Sequence, residues 1–293
     1  MLPSKRHIHT LIEAALQEDH ARQDITTHSL FPKNIRAQAT IIAKEDLVIA
    51  GLYVAKHVFT QFDSTLKFTQ VKRDGDLVKA GTVCCTISGN TQSLLSAERV
   101  ALNFLQHLSG IATLTNQFSQ AIKGSATKIL DTRKTTPGLR HLQKWAVTLG
   151  GGTNHRQSLK DGILIKDNHL ALLKSQGISV ENACHLAKKH ATRHINVCVE
   201  TDTLAQVREA LQGNADIILL DNMSPQKAKK AIQLIDGRAL IEISGGITMK
   251  NIHSFAQIGA DFISIGALTH SARAMDLSMK MAVAPDNHSR RSK

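Results

Sequence analysis

INVCVETDTLAQVREALQGNADIILLDNMSPQKAKKAIQLIDGRALIEISGGITMKNIHSFAQIGADFISIGA, residues 195–267, is the stretch that decides the fold. Four short apolar runs recur in it: Ile195–Val199, Ile217–Leu220, Ala239–Ile243 and Phe262–Ile265. Their last residues follow one another at 21, 23 and 22 positions. Between them lie segments with helical spacing, Leu204–Leu211, Pro225–Ile235 and Met249–Ile258. That is the pitch of a β/α repeat, in which a helix carries the chain back so that successive strands run parallel. Two upstream runs, Lys128–Leu130 and Gly162–Ile165, extend the series to six. Such strands form an open sheet or a barrel. No Rossmann glycine fingerprint follows a first strand, so the barrel is the expectation.

Upstream of the repeat the pattern changes. Residues 1–107 alternate short strands with helices, and the 293-residue length suits a barrel-sized domain joined to a smaller one. Ile8, Leu11, Ile12, Ala15 and Leu16 mark an amphipathic helix near the start. Asp74-Gly75, between two apolar-alternating stretches, predicts a hairpin. Ser93–Leu108 reads as a helix with Leu94, Leu95, Ala97, Val100, Ala101, Phe104, Leu105 and Leu108 on one face.

Composition removes several classes of function. The longest apolar run, Leu47–Ala55, is far short of the roughly 18 residues of a membrane span, and no signal-like apolar core opens the chain. The expectation is therefore a cytoplasmic protein. Four cysteines without a Cys-x-x-Cys spacing read as reduced, buried thiols. His190 and His194 have a metal-like spacing but no third ligand nearby, and read as a solvated helix end. The net charge of +12 suggests an anionic partner. With aromatics at 3%, stacking platforms for single-stranded nucleic acid are few. Lys5-Arg6 and Arg290-Arg291-Ser-Lys293 place part of the charge in the tails.

The clustered charges lie just after the strand-like runs. Asp131, Arg133 and Lys134 follow Leu130, and Lys166 follows Ile165. Glu200 follows Val199, Asp221 follows Leu220, Ser244-Gly245-Gly246 follows Ile243, and Gly266-Ala267 follows Ile265. In a β/α barrel these positions converge on the C-terminal face, where active sites lie. Glycines there let backbone amides approach phosphate oxygens. Gly150-Gly-Gly-Thr-Asn-His155-Arg156 lacks the Gly-Lys-Ser/Thr ending of a P-loop but brings two more donors. Arg133, Lys134, His155, Arg156 and Lys166 thus stand against Glu200 and Asp221. Burying such donors requires a ligand with several negative charges. The two acids suit a divalent metal or ribose hydroxyls.

Asp131-Thr-Arg-Lys-Thr-Thr-Pro-Gly-Leu-Arg140 resembles the signature of the quinolinate phosphoribosyltransferase family. So do Glu98-Arg99-Val-Ala-Leu-Asn-Phe-Leu, Leu108-Ser-Gly-Ile-Ala-Thr113, Gly150-Gly-Gly-Thr-Asn-His-Arg156, Leu164-Ile-Lys-Asp-Asn-His169, Leu220-Asp-Asn-Met223 and Gly266-Ala-Leu-Thr-His-Ser271. The likeness runs from about residue 10 to 280. Gln23 before Asp24 and Trp145 depart from the family pattern, both outside the expected pocket.

The resemblance implies an α/β protein with an N-terminal α/β sandwich (1–107) and an incomplete, open α/β barrel (108–270). A C-terminal segment (271–293) would return to the sandwich. It implies transfer of phosphoribosyl from phosphoribosyl pyrophosphate to quinolinate with decarboxylation, in a homodimer or higher oligomer with shared sites. Lys134, Lys166, Glu200 and Asp221 would do the catalytic work. Arg133, Lys134, Thr135, His155, Arg156 and Lys166 would hold carboxylates and phosphates, and Glu200 and Asp221 would face ribose and Mg²⁺. Ser244, Gly245, Gly246, Ile265, Gly266, Ala267 and His270 would cradle phosphate, and Arg99 would reach the neighbouring subunit's site. Three rivals remain: a Schiff-base Lys166 as in barrel aldolases, the related protein of molybdenum transport, and a basic nucleic-acid binder.

Overall fold

The computed structural model describes residues 3–192 and 194–283. The expected basic tail from Arg290 to Lys293 lies outside them. The chain opens with α1 (Lys5–Glu18), α2 (Ile25–Leu30), β1 (Arg36–Ala43), β2 (Leu47–Val48) and α3 (Leu52–Phe62). It continues with β3 (Lys67–Gln70), β4 (Leu77–Val78), β5 (Val83–Asn90), α4 (Thr91–Ala121), β6 (Lys128–Leu130) and α5 (Arg140–Leu149). Then follow β7 (Ile163–Ile165), α6 (Asp167–Ser175), α7 (Val180–His190), β8 (Val197–Thr201), α8 (Leu204–Gln212) and β9 (Ile217–Asp221). The last are α9 (Pro225–Ile235), β10 (Leu240–Ser244), α10 (Ile252–Ala256), β11 (Phe262–Ser264), α11 (Ala267–His270) and β12 (Leu277–Val283). Two compact units result. Of the described residues, the first takes 3–114, 137–150 and 272–283, and the second takes 115–136, 151–192 and 194–271.

The first unit is built on a four-stranded antiparallel sheet in the order β12-β1-β5-β3. Strand β1 alternates strictly, burying Ala37, Ala39, Ile41 and Ala43, the period-2 signature of a half-buried strand. Helix α1 starts at Ser4, whose hydroxyl accepts the His7 N–H at 3.3 Å. It buries Ile8, Ile12 and Leu16 at intervals of four. Lys5 and Arg6, read as tail charges, are exposed residues of its first turn.

Two expectations for this unit need correction. Asp74-Gly75 does not close a hairpin: β3 pairs with β5, whereas β4 pairs with β2. The Asp74 carboxylate instead caps α3, whose N-cap residue Gly51 has no side chain to do so. It accepts the backbone N–H groups of Gly51 (2.6 Å), Leu52 (2.8 Å) and Tyr53 (3.0 Å), three donors that a helix start leaves unpaired. The second correction is α4, which has 31 residues rather than ending near Leu108. Its apolar face continues through Ile111 and Ala112, and Gly110 is a point of close approach rather than a stop. A Cβ there would lie 1.9 Å from the Arg273 carbonyl oxygen.

The second unit is a six-stranded, all-parallel sheet in the order β6-β11-β10-β9-β8-β7. All six strands expected from the repeat are present. Strands β6 and β7 are consecutive in this unit's chain yet stand at opposite ends of the order, so the barrel is open between them. The helix between them in sequence, α5, belongs to the first unit. Helix α10 is shorter than the expected 249–258 because Thr248–Asn251 forms a turn, with the Thr248 N–H on Asn251 Oδ1 at 2.8 Å.

Candidate active site

Because every strand of the second unit runs the same way, the sheet order sets the order of the charged strand ends. Along one edge stand 131–135 after β6, 265–267 after β11 and 244–246 at the end of β10. Asp221 closes β9, Glu200 lies near the end of β8, and Lys166 follows β7. Cations therefore flank the row, with the glycines and acids between them.

The open seam is spanned by the segment 153–156. Thr153 pairs in parallel with Leu130, giving its N–H to the Ile129 carbonyl at 2.8 Å. The fully buried Asp131 accepts Asn154 Nδ2 at 2.7 Å and the His155 N–H at 2.8 Å. Arg156 Nη1 then donates to the carbonyl of Gly162, just before β7, at 2.8 Å. Residues 153–156 are thus stitched to both rims of the gap.

That stitching sets Arg156 near Arg133. Burial and the Arg133 guanidinium push the Arg156 pKa down, opposed by Glu200 and Asp161. Arg133 Nε is buried and has no hydrogen-bond partner within the protein. Two half-buried guanidiniums in mutual repulsion, one with an orphaned N–H, are the signature of a site for an anionic ligand. Lys134 is exposed, and its carbonyl accepts Thr269 Oγ1 at 2.8 Å. The Thr135 N–H turns back onto the Arg133 carbonyl at 2.9 Å.

The glycines are there for space. A Cβ on Gly266 would meet Lys134 Cδ at 3.0 Å and His270 Nε2 at 3.1 Å, so all three residues share one spot. A Cβ on Gly245, at φ 91°, would lie 2.2 Å from Asn222 Oδ1. Gly246, at φ 62°, faces open space, and its carbonyl accepts Asn251 Nδ2 at 2.9 Å. The Ser244 carbonyl accepts the Asn222 N–H at 2.9 Å. Ser244–Gly246 is therefore a loop with left-handed backbone pinned from two sides.

Burial is the main cause that raises the Glu200 pKa, and Asp221 and Asp167 add to it. The Asp167 N–H, at 3.3 Å, and Lys166 act against the shift. Glu200 and Asp221 both line a cleft of about 630 Å³ together with Asp167 and Gln206. Among the described residues no three His, Cys, Asp or Glu side chains converge as a metal cage. Two adjacent carboxylates do fit Mg²⁺, which takes one or two from protein and fills its shell with phosphate oxygens and water.

The second unit accordingly holds Arg133, Lys134, Thr135, His155, Arg156, Lys166, Glu200, Asp221, Ser244, Gly245, Gly246, Ile265, Gly266, Ala267 and His270 along one sheet edge and its loops. Arg99 is not among them: it is an exposed residue of α4 in the first unit. Sequence reasoning gave no role to Asp131, which ties the seam, or to Glu242, a 2%-exposed acid on β10 whose Oε2 lies 3.4 Å from His155 Nε2. An acid inside the apolar run Leu240-Ile-Glu-Ile243 was the available signal.

Residues 24–109 match the family described as quinolinate phosphoribosyl transferase, N-terminal domain, and residues 111–280 its C-terminal domain. A probable nicotinate-nucleotide pyrophosphorylase (carboxylating) of Bacillus subtilis is 40% identical over 270 residues, 92% of each chain. The chloroplastic nicotinate-nucleotide pyrophosphorylase (carboxylating) of Arabidopsis thaliana is 40% identical over 287 residues, covering 92% of this chain and 82% of its own. The crystal structure of NadC from Streptococcus pyogenes is similar with a TM-score of 0.92 at 43% identity, over 97% of this chain and 99% of that one.

Proposed function

The chain belongs to the quinolinate phosphoribosyltransferase family, and we infer from that premise how its sheet edge carries out a pentosyl transfer. It transfers phosphoribosyl from phosphoribosyl pyrophosphate to quinolinate with decarboxylation. The products are nicotinate mononucleotide, carbon dioxide and pyrophosphate, a step of NAD biosynthesis. The observation that carries the site assignment is the orphaned Arg133 Nε beside the half-buried Arg156, which calls for a ligand with anionic oxygens.

In this reading Arg133 and Arg156 take the quinolinate carboxylates. The Ser244–Gly246 and Ile265–Ala267 loops, with His270, receive the 5′-phosphate. Lys134 and Lys166 stabilise the charge that develops on pyrophosphate, and Glu200 and Asp221 hold the ribose hydroxyls and Mg²⁺. The metal, when bound, neutralises pyrophosphate oxygens. The C1′–O bond breaks to an oxocarbenium-like ribose, and the quinolinate nitrogen supplies the new bond to C1′. The ring nitrogen, now positive, draws in the electron pair of the bond to the C2 carboxylate. Carbon dioxide leaves, and C2 takes a proton. Positioning and preorganised charge account for the catalysis, with no covalent intermediate.

The same reading makes the enzyme a cytoplasmic homodimer, or a higher oligomer, whose Arg99 completes the neighbouring subunit's site. Four buried free cysteines support a reducing compartment, and no helix of the described residues is long and apolar enough to cross a membrane. Nicotinate, lacking the C2 carboxylate, tests the assignment. It should be a very poor substrate, and efficient turnover of it would overturn the reading. For the dimer, inactive Arg99→Ala and Lys134→Ala chains co-refolded in equal amounts should recover about a quarter of wild-type activity. Stable dimeric variants that fail to complement would place Arg99 elsewhere.

A further inference from the structure

Both ring nitrogens of His155 are engaged. Nδ1 accepts the backbone N–H of Arg156 at 2.7 Å, so Nδ1 carries no proton and the neutral ring must carry its proton on Nε2. Nε2 faces Glu242 Oε2 at 3.4 Å, with the two side chains 17% and 2% exposed. Glu242 comes from the middle of β10, and its charge is felt at Cys198 on β8, where it opposes ionisation of the thiol. Among the charged or titratable groups facing this pair are Cys198 beside Glu242, and Asp131 and Arg156 beside His155. A carboxylate buried this deeply is costly unless it meets a partner, and His155 Nε2 stands within ion-pair distance of it.

We propose that Glu242 is a positioning residue that acts through His155. Its carboxylate holds the imidazole as the Nε2–H tautomer. Nδ1 then stays an acceptor for the Arg156 N–H, and the Arg156 guanidinium is held at the substrate end of the seam. The inference rests on the reading of Arg156 as a ligand of a quinolinate carboxylate, and it removes His155 from the set of cations expected to face the substrate. Protonating Nδ1, or moving the proton to it, would set two N–H groups against each other and release the Arg156 backbone.

Three measurements on the full-length enzyme test this. Nitrogen-15 NMR of histidine-labelled protein at neutral pH should show His155 with Nε2 protonated and Nδ1 bare. The opposite tautomer, or an imidazolium, would overturn the proposal. Glu242→Gln should raise the KM for quinolinate about ten-fold, the scale of one supported hydrogen bond, with kcat changed less than about three-fold and the KM for phosphoribosyl pyrophosphate unchanged. That split marks lost ground-state binding rather than general damage. His155→Asn keeps an acceptor for the Arg156 N–H but loses the link to Glu242. The Glu242→Gln, His155→Asn double variant should therefore match His155→Asn alone. Effects that multiply, or a Glu242→Gln enzyme with wild-type quinolinate KM, would sink the idea. If Glu242→Gln fails to fold, the tautomer measurement still decides. A wild-type enzyme that ignores quinolinate would defeat the functional reading instead, leaving the tautomer as the test of the pair.

Discussion

The Asp131 carboxylate accepts the backbone N–H of His155 at 2.8 Å across 24 positions of chain. With Asn154 Nδ2 on its other oxygen at 2.7 Å, this fully buried acid holds the segment that crosses the open seam. Asp131→Ala leaves these donors unmet in a buried place, at a cost of about 1–3 kcal/mol each. Thermal unfolding should show the loss, and quinolinate binding should fall with it. A variant of wild-type stability would mean that the seam is held elsewhere.

The two glycines of β10's loop should respond differently to one methyl group. Gly245→Ala places a Cβ 2.2 Å from Asn222 Oδ1 in addition to its left-handed strain, so the loop must shift. Gly246→Ala meets open space and carries only the strain of roughly 1–2 kcal/mol. Denaturant unfolding should rank Gly245→Ala clearly below Gly246→Ala, and the KM for phosphoribosyl pyrophosphate should rise more in the former. Equal effects would contradict the contact.

The parallel sheet was legible because a repeat of about 22 residues leaves room for one strand and one returning helix, and each strand is short, apolar and followed at once by a polar residue. Pro225–Ile235 was readable to the residue: Ser224 is its N-cap and Pro225 its first position. Asp74-Gly75 misled, because a helix cap from a distant loop and a hairpin turn use the same residue types. The placement of α5 with the first unit had no local signal, since its amphipathic pattern would suit either unit. Glu242 was passed over as part of a strand because an acid in an apolar run shows its meaning only when His155 stands opposite.

All four cysteines are buried and unpaired. Burial pushes the Cys184 thiol up to about 11 and those of Cys84, Cys85 and Cys198 upward as well. Thiolate is the reactive form, so native protein at neutral pH should leave an aromatic disulfide reagent almost unreacted, while unfolded protein should react at four thiols. Rapid reaction of any native thiol would contradict this burial.

Glu45 is joined to Arg273 by a two-pronged pair, and its Oε1 also accepts the Asp276 N–H at 2.9 Å. The Arg273 hydrogen bonds are the largest cause that lowers its pKa to about 2. A folded pKa below the unfolded value stabilises above the unfolded value, near 4.5, and that stability is lost as pH falls toward about 2. Because Arg273 is largely exposed, the effect should stay under about 1 kcal/mol. Glu45→Gln should make the stability profile flatter between those two values and cost little at neutral pH. An unchanged acid limb would contradict the pairing.

The central claim is that the strand-end row couples phosphoribosyl transfer to loss of the quinolinate C2 carboxylate. Quinolinate labelled at that carboxylate should release labelled carbon dioxide only when phosphoribosyl pyrophosphate and Mg²⁺ are both present, in step with nicotinate mononucleotide and pyrophosphate, and Arg133→Ala should suppress all three together. Release without phosphoribosyl pyrophosphate, or nucleotide formed without release, would contradict the account.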